Sequence, residues 1–276
     1  MRIVADSSCD LTVEMKEKYD ITIVPLTISI DDRHYKDDDT LDINQMLDDI
    51  KNSPGVPKSA CPSPQDFIEA FLAQGSVFVI TLTAALSGTY NSAVVARDLF
   101  IQDYHQKFIH VFDSKGSSVR ETLIAIKIDE LIKKGMNESD IVEQVDDYIE
   151  KMKYIFQLGS LDTMIKNGRI SKLKGLIANV LNIRPILYAN EIGEAELFEN
   201  VRTEKKSIQR LVEIVGEQCI DFPDRILGIS HCDALEKAEK LKAEIEKNYN
   251  FKEVFIVQMK GLSSLYTNRG GITIGF

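Results

Sequence analysis

The stretch VFVITLTAALSGTYNSA, residues 77–93, contains a strand, a loop of small polar residues and the start of a helix. Its first part, residues 77–82, is almost continuously apolar, which is typical of a parallel strand buried on both faces. The small and hydroxyl-bearing residues that follow predict a loop leading into a helix from Leu86 onward. Repeated strand-loop-helix units build a parallel sheet with crossover helices on both faces.

The rest of the N-terminal half repeats this alternation. Ser63 and Asp66 form a capping pattern around Pro64, which marks a helix start. The predicted strands cover residues 2–5, 21–30, 77–82 and 108–112, and the other predicted helices cover residues 41–50, 118–133 and 138–151.

The pattern changes after about residue 150, where strands and helices no longer alternate regularly. The predicted strands cover residues 154–158, 184–188, 226–230 and 253–259, and the predicted helices cover residues 170–181, 207–219 and 234–247. We predict an α/β protein of two domains without a flexible linker. Residues 1–152 form a three-layer α/β/α domain with a mainly parallel sheet, and residues 153–276 form a smaller α+β domain.

Composition narrows the class of partner. The chain of 276 residues carries a net charge of −10, which disfavours nucleic acid and anionic membranes because both require a basic surface. No apolar run approaches the roughly 20 residues that span a bilayer, and the N-terminus enters a strand pattern at once. We expect a cytoplasmic protein without stable membrane insertion. Its four scattered cysteines, without a CxxC, are expected to be reduced thiols.

Motifs for catalysis and metal binding are missing from the sequence. It contains no glycine-rich nucleotide motif, no GxSxG elbow and no HExxH. Ser230 and His231 are adjacent, but neighbouring strand residues point to opposite faces. The spacing of the run Asp37–Asp39 fits no calcium-binding loop. Because the run precedes a predicted helix, we expect its three carboxylates to face solvent. We predict no metal site and no catalytic constellation.

Two loops offer donors for an anion. Ser87, Gly88 and Thr89 follow the strand at 77–82 and lie at a helix start, where free N–H groups and the helix dipole favour an anionic oxygen. Ser87 as a simple helix cap explains the pattern equally well. Ser59 lies just before another candidate helix start, the one at Ser63. Ligands of open α/β sheets bind where loops of this kind meet.

Residues 167–181 carry apolar side chains on one helical face. Packing against the domain explains this face, and so does the lining of a lipid tunnel. The apolar residues are Ile170, Leu173, Ile177, Val180 and Leu181.

These segments together resemble the DegV family, the fatty-acid-binding subunits of bacterial fatty acid kinase. The matching stretches run along the whole chain in the family's order. They are VADSSCDL at 4–11, VPLTISI at 24–30, SACPSP at 59–64, SGTYNSA at 87–93, VFDSKGSS at 111–118 and NGRISKLKGLIANVLNIRPIL at 167–187.

The resemblance implies a long-chain fatty acid, for example palmitate, in an apolar tunnel between the domains, and no other cofactor. Ser87 is expected to bind the carboxylate, and a separate ATP-dependent kinase subunit would make acyl phosphate. Arg202 matches an arginine that the family links to acyl phosphate formation with the kinase subunit. Arg169 is a second candidate for contact with a partner or phosphate. The expected ligand-binding residues are Ser59, Ser87, Gly88, Thr89, Tyr266 and Thr267.

One departure from the family lies near the end of the chain. Tyr266 stands where family members often carry a histidine that completes the carboxylate site. Its hydroxyl donates a hydrogen bond but carries no positive charge at neutral pH. Either Tyr266 or nearby Arg269 is expected to replace the histidine contact.

Two other functions stay open on the residues alone. A phosphate-handling α/β enzyme would use the Ser87–Thr89 loop as its anion cradle. A regulatory protein would sense lipid and dock to a partner through the basic residues 169–174.

Overall fold

The computed structural model of the protein describes residues 1–103, 107–170 and 183–276. The strands are β1 (Arg2–Asp6), β2 (Ile21–Val24), β3 (Thr27–Ile30), β4 (Arg33–Lys36), β5 (Lys58–Ala60), β6 (Val77–Thr81), β7 (Ile109–Asp113), β8 (Tyr154–Gln157), β9 (Arg184–Ala189), β10 (Ala195–Val201), β11 (Ile226–His231), β12 (Glu253–Gln258) and β13 (Ile272–Gly275). The helices are α1 (Val13–Lys18), α2 (Ile43–Asn52), α3 (Pro64–Phe71), α4 (Thr89–Asp103), α5 (Val119–Lys133), α6 (Glu138–Lys151), α7 (Asp162–Lys166), α8 (Glu204–Gln218), α9 (Leu235–Asn248) and α10 (Gly261–Thr267).

The first sheet is fully parallel, with strand order β2-β1-β6-β7. Along β6, Val77 and Val79 belong to the core shared with α3 and α4, whereas Phe78 and Ile80 belong to the core shared with α5. Both faces of this strand are therefore buried under helices. The predicted α/β architecture with a mainly parallel sheet is confirmed.

A second, antiparallel sheet was not predicted. Its order is β4-β3-β5, and it forms because the strand expected over residues 21–30 is divided at Pro25. Proline has no N–H for a strand ladder, so the chain leaves the first sheet after β2 and starts a new one at β3. Strand β4 is mostly exposed and β5 has three residues, so neither shows an apolar periodicity.

The third sheet has the order β10-β9-β8-β13-β11-β12, in which only the β11–β12 pair is parallel among the described strands. Helices α8 and α9 cover one of its faces, and their apolar stripes share a core with β11. This mixed arrangement is the α+β pattern expected after residue 150. The boundary itself, placed after residue 152, falls between α6 and β8 and stays a prediction.

Helix α5 lies between the first and third sheets and contacts strands of both. Two glycines of the third sheet allow this close approach. A Cβ at Gly228 would lie 2.3 Å from the Val119 side chain, and a Cβ at Gly275 would lie 2.9 Å from that of Leu123. Residues 119–125 of α5 are buried in a core that also contains Tyr154, Phe156 and Phe255, so the two halves share one continuous core.

The loop after β1 joins the two halves through hydrogen bonds. Asp10 is fully buried, and its carboxylate accepts from the Ser118 hydroxyl at 2.5 Å, the Ser230 hydroxyl at 3.0 Å and the Lys260 N–H at 2.7 Å. Desolvation by burial raises the pKa of Asp10 to about 6. The three donors favour the ionised form against this cost.

Asp37 makes a second connection of the same kind. It is buried, and its carboxylate accepts from the N–H groups of Gly261 at 2.8 Å and Leu262 at 2.9 Å, at the start of α10. The prediction of a solvated acidic segment is therefore wrong for Asp37. Asp38 and Asp39 do face solvent more, and each pairs with lysine.

Two further buried carboxyl groups, those of Asp6 at the end of β1 and Glu121 in α5, lie close together. The Ser8 N–H donates to Asp6 at 2.8 Å, and the Ser8 hydroxyl donates to Glu121. Burial raises the pKa of Asp6 to about 7 and raises the pKa of Glu121 well above its ordinary range, with the Asp6 charge adding to the shift. One oxygen of Glu121 accepts no hydrogen bond in the described part of the chain. We infer that Glu121 is the protonated member of this pair.

Glu121→Gln keeps the shape of the side chain and removes the ionisable group. A raised carboxyl pKa contributes stability that is complete below the ordinary pKa of glutamate and is lost as the pH rises through the raised value. Above about pH 5, we expect the free energy of unfolding to fall more steeply with rising pH in the wild type than in the variant. Urea unfolding at stepped pH measures the difference. Parallel pH profiles for the two proteins would contradict this account, and Glu143→Gln, at an exposed position of α6, is the control.

Candidate functional site

A cavity of about 300 Å³ lies between the two halves of the molecule. Its apolar lining comes from both halves and consists of Leu26, Leu82, Leu86, Phe156, Leu158, Met164, Ala189, Ala195 and Leu262, together with the ring of Tyr154. Its polar lining consists mainly of hydroxyl groups, from Ser8, Ser59, Thr83, Ser87, Ser117, Ser263, Tyr266, Thr267 and Thr273. Such a mainly apolar pocket with a few convergent donors suits an elongated apolar ligand with one polar end.

The two donor loops predicted from the sequence do converge at this cavity. The Ser92 hydroxyl of α4 donates to the Pro62 carbonyl at 2.6 Å. A Cβ at Gly88 would lie 3.5 Å from the Cys61 sulfur, so the backbone of one loop approaches the side chain of the other. Ser63 and Asp66 form the expected capping box, which fixes where the first loop ends.

Ser87 makes a cap-like hydrogen bond at the start of α4 and also lines the cavity. Its hydroxyl oxygen accepts from the Thr89 N–H at 3.2 Å, as a cap does, and lies 2.9 Å from the Thr89 hydroxyl. Ser87 and Gly88 line the cavity, whereas Thr89 is fully buried and is not among the lining residues. The geometry therefore places Thr89 behind Ser87, where it orients the serine hydroxyl.

Tyr266 and Ser59 meet across the cavity from opposite halves. Their hydroxyl oxygens lie 2.9 Å apart, with Ser59 on β5 and Tyr266 on α10. Thr267 lies beside them and is only 5% exposed. Its carbonyl accepts from the Gly159 N–H at 2.7 Å, but its hydroxyl forms no hydrogen bond with any residue that the structure describes. Thr267 lines the cavity, so this hydroxyl is available to a ligand.

The three arginines considered from the sequence lie in different places. Arg169 lines the cavity, and its guanidinium donates to the carbonyls of Leu86 at 3.2 Å and Asn167 at 2.6 Å. Arg202 is exposed and follows the end of β10, about 20 Å along the strand from Ala195 at its start. Arg269 pairs with Asp48 and Asp233 outside the lining.

The tip of the β9–β10 hairpin closes one side of the cavity, which the sequence did not predict. Gly193, in the turn, lies so close to the loop after β6 that a Cβ there would be 2.1 Å from the Thr83 hydroxyl and 3.0 Å from the Lys115 Cα. Ala189 and Ala195 flank the turn and also line the cavity. Gly193 could have indicated a turn at this position. Its contact with Thr83, more than a hundred residues away, leaves no local pattern in the sequence.

Two other sequence interpretations can be compared with the structure. Ser230 donates to Asp10 while the ring of His231 accepts from the Ala234 N–H at 3.2 Å, so the pair forms no nucleophile and base. The helix predicted at 170–181 lies, beyond Ile170, outside the described residues.

Within the described ranges, no three side chains of histidine, cysteine, aspartate or glutamate are grouped as metal ligands. Among the helices described, none is both long and apolar enough to cross a membrane.

The chain is similar to known proteins over its whole length. The model of the DegV family matches residues 1–276. A DegV domain-containing protein of Streptococcus pneumoniae is 33% identical over 277 residues, covering 100% of this chain and 98% of the relative.

Two solved structures are similar over their whole length. A DegV-family protein of Ruminococcus gnavus, refined with vaccenic acid, has a TM-score of 0.96 and 37% identity, covering 100% of this chain and 99% of that one. The fatty acid kinase B3 protein of Streptococcus pneumoniae, loaded with linoleic acid, has a TM-score of 0.90 and 32% identity, covering 100% and 98%.

Gly193→Ala tests the contact between the hairpin tip and the loop after β6. The alanine would have to adopt a φ of +80° and would also collide with Thr83. Gly135→Ala is a matched control, because its φ is +73° and nothing lies within 4 Å of the added Cβ. We expect the control to lose about 1 kcal/mol of stability and Gly193→Ala to lose about 1–3 kcal/mol more. Equal losses in denaturant unfolding would show that the hairpin tip does not pack as described.

Proposed function

Because the chain belongs to the DegV family, we propose that it binds one long-chain fatty acid in the cavity between its halves. The acyl chain lies against the apolar lining, and hydroxyl groups hold the carboxylate. The observation that carries this proposal is the meeting of an apolar cavity with donors from both halves, namely Ser59, Ser87, Tyr266 and Thr267. Relatives of 32–37% identity with bound fatty acids support it.

The apolar and the polar parts of the lining have different roles, the first in affinity and the second in the orientation of the ligand. Burying an acyl chain contributes roughly 0.8 kcal/mol per methylene, or about 12 kcal/mol for a sixteen-carbon chain before entropy is subtracted. A hydrogen bond to a charged group contributes only about 1.5–3 kcal/mol. The apolar wall therefore sets affinity and chain-length preference, and the hydroxyls fix which end of the ligand lies at the two loops.

Neutral donors suit this task in an acidic protein. With a net charge of −10, the overall field disfavours an anion, so the carboxylate depends on local hydrogen bonds. Tyr266 supplies one of these in place of the family's histidine, and its hydrogen bond to Ser59 preorganises both hydroxyls. Arg269 is engaged by two aspartates, which favours Tyr266 over Arg269 for this role.

We further propose that the carboxylate is presented to a separate ATP-dependent kinase subunit in the cytoplasm. Gly88 and Cys61 are exposed at the two donor loops, so the carboxyl end lies at the accessible side of the site. The fatty acid kinase name of the similar Streptococcus pneumoniae protein supports such a partner. Arg202, exposed and away from the cavity, suits contact with that partner rather than with the fatty acid. The mostly apolar lining favours an acyl chain over the phosphate ligand of the alternative enzyme.

Mass spectrometry of an organic extract of the purified protein tests the ligand class. We expect about one fatty acid per chain, and about a hundredfold weaker palmitate binding in Ala195→Phe, because the added ring would fill the cavity. Thermal unfolding checks that the variant is folded. A phosphorylated small molecule in place of the fatty acid would overturn the proposal.

Ser87→Ala tests orientation separately from affinity. Loss of one hydrogen bond to a carboxylate is expected to weaken palmitate binding about tenfold and to reduce acyl phosphate formation with a fatty acid kinase more strongly. Ser139→Ala, at an exposed position of α6, is the control. Unchanged binding together with full acyl phosphate formation would remove Ser87 from the site.

A further inference from the structure

We infer that Cys61 is a covalent modification site for lipids that carry an α,β-unsaturated carbonyl group at their polar end. The inference rests on the proposed function in one respect, since an acyl chain in the cavity is what brings the electrophile to the thiol.

Cys61 differs from the other cysteines in its accessibility. All four cysteines are free, but Cys9, Cys219 and Cys232 are buried, whereas Cys61 is exposed. A thiol must be accessible to react with a carbon electrophile. Modification of the folded protein is therefore expected at Cys61.

The thiol lies between the two groups of predicted donors. Cys61 lines the cavity, as does Ser59 two residues before it. Its sulfur is 3.5 Å from the position that a Cβ on Gly88 would occupy, next to Ser87. A ligand whose polar end reaches the hydroxyls of Ser59 and Ser87 therefore comes into contact with the thiol.

A second observation points to a ligand oxygen at this place. Thr267 lines the same cavity and is 5% exposed, yet its hydroxyl has no hydrogen-bond partner among the described residues. A hydroxyl that has no protein partner and belongs to a residue lining the cavity can donate to a ligand oxygen placed there. Thr267 follows Tyr266, whose hydroxyl oxygen lies 2.9 Å from that of Ser59. Ser59 is two residues before Cys61. A carbonyl oxygen held there therefore lies on the side of the cavity that Cys61 also lines.

The reaction is a conjugate addition. The Cys61 sulfur forms a bond to the β-carbon, the π bond between the α- and β-carbons breaks, and its electron pair moves to the carbonyl oxygen as an enolate. Hydroxyl donors at that oxygen stabilise the developing charge. The α-carbon then takes up the proton that the thiol released, and the product is a thioether with no leaving group.

The modified protein has its lipid site occupied by a covalently attached ligand. The acyl chain remains in the cavity, and the carbonyl group of the adduct occupies the place of the fatty acid carboxyl group. Modification and fatty acid binding are thus mutually exclusive, and each protects against the other.

The test uses the delipidated full chain with trans-2-hexadecenal and trans-2-hexenal, followed by borohydride reduction, intact mass measurement and peptide mapping. We expect one thioether at Cys61, at least tenfold faster formation with the long enal, and at least tenfold slowing by a stoichiometric amount of palmitate. Cys61→Ser should form no thioether, and Thr267→Val should slow the long enal more than it slows N-ethylmaleimide.

Adducts confined to other residues, equal rates for the two enals, or no protection by bound palmitate would overturn the inference. Native mass spectrometry of palmitate binding, recorded in parallel, separates the two proposals. Palmitate that binds without shielding Cys61 contradicts this inference alone. Palmitate that fails to bind contradicts the proposed function as well.

Discussion

The hydrogen bonds of buried Asp10 are the constraint on which the arrangement of the two halves depends. One carboxylate, in the loop after β1, is held by Ser118 before α5, by Ser230 on β11 and by Lys260 before α10. A buried carboxylate without these donors would cost several kcal/mol, so the loop is stable only when both halves are in place. The cavity lies where they meet, and its shape follows from this alignment.

Apolar packing of helix α5 also holds the two halves in their arrangement. Its small neighbours Gly228 and Gly275 let it pack between two sheets, and its own residues reach both cores. The acidic pair of Asp6 and Glu121 lies at the start of this helix, near the cavity residue Ser8. Polar groups in this interior are satisfied mainly by hydroxyls and backbone N–H groups. The same kind of donor lines the cavity, so hydroxyl groups stabilise this junction and are also the groups on which the proposed binding depends.

Local patterns predicted the parallel sheet, most helices and the two donor loops. The buried strand at residues 77–82 and the helix cap at Ser63 can each be recognised from a few neighbouring residues, and the structure confirms both. The antiparallel sheet was missed because exposed β4 and short β5 leave no periodicity. Buried Asp37 was taken for a solvated residue because its partners, Gly261 and Leu262, lie more than two hundred residues away. In the candidate site, Ser59, Ser87, Tyr266 and Thr267 were expected from the family resemblance and all line the cavity. The closing tip at Gly193 and the thiol of Cys61 were not foreseen, because their importance comes only from their neighbours in space.

The position of β13 has a consequence for synthesis of the protein. This strand lies between β8 and β11, although more than a hundred residues separate it from β8 along the chain. While the nascent chain emerges from the ribosome, the third sheet has an open slot with unpaired strand edges on both sides. Exposed edges of this kind can pair with foreign strands, so the insertion of β13 is the step that closes this sheet against such pairing.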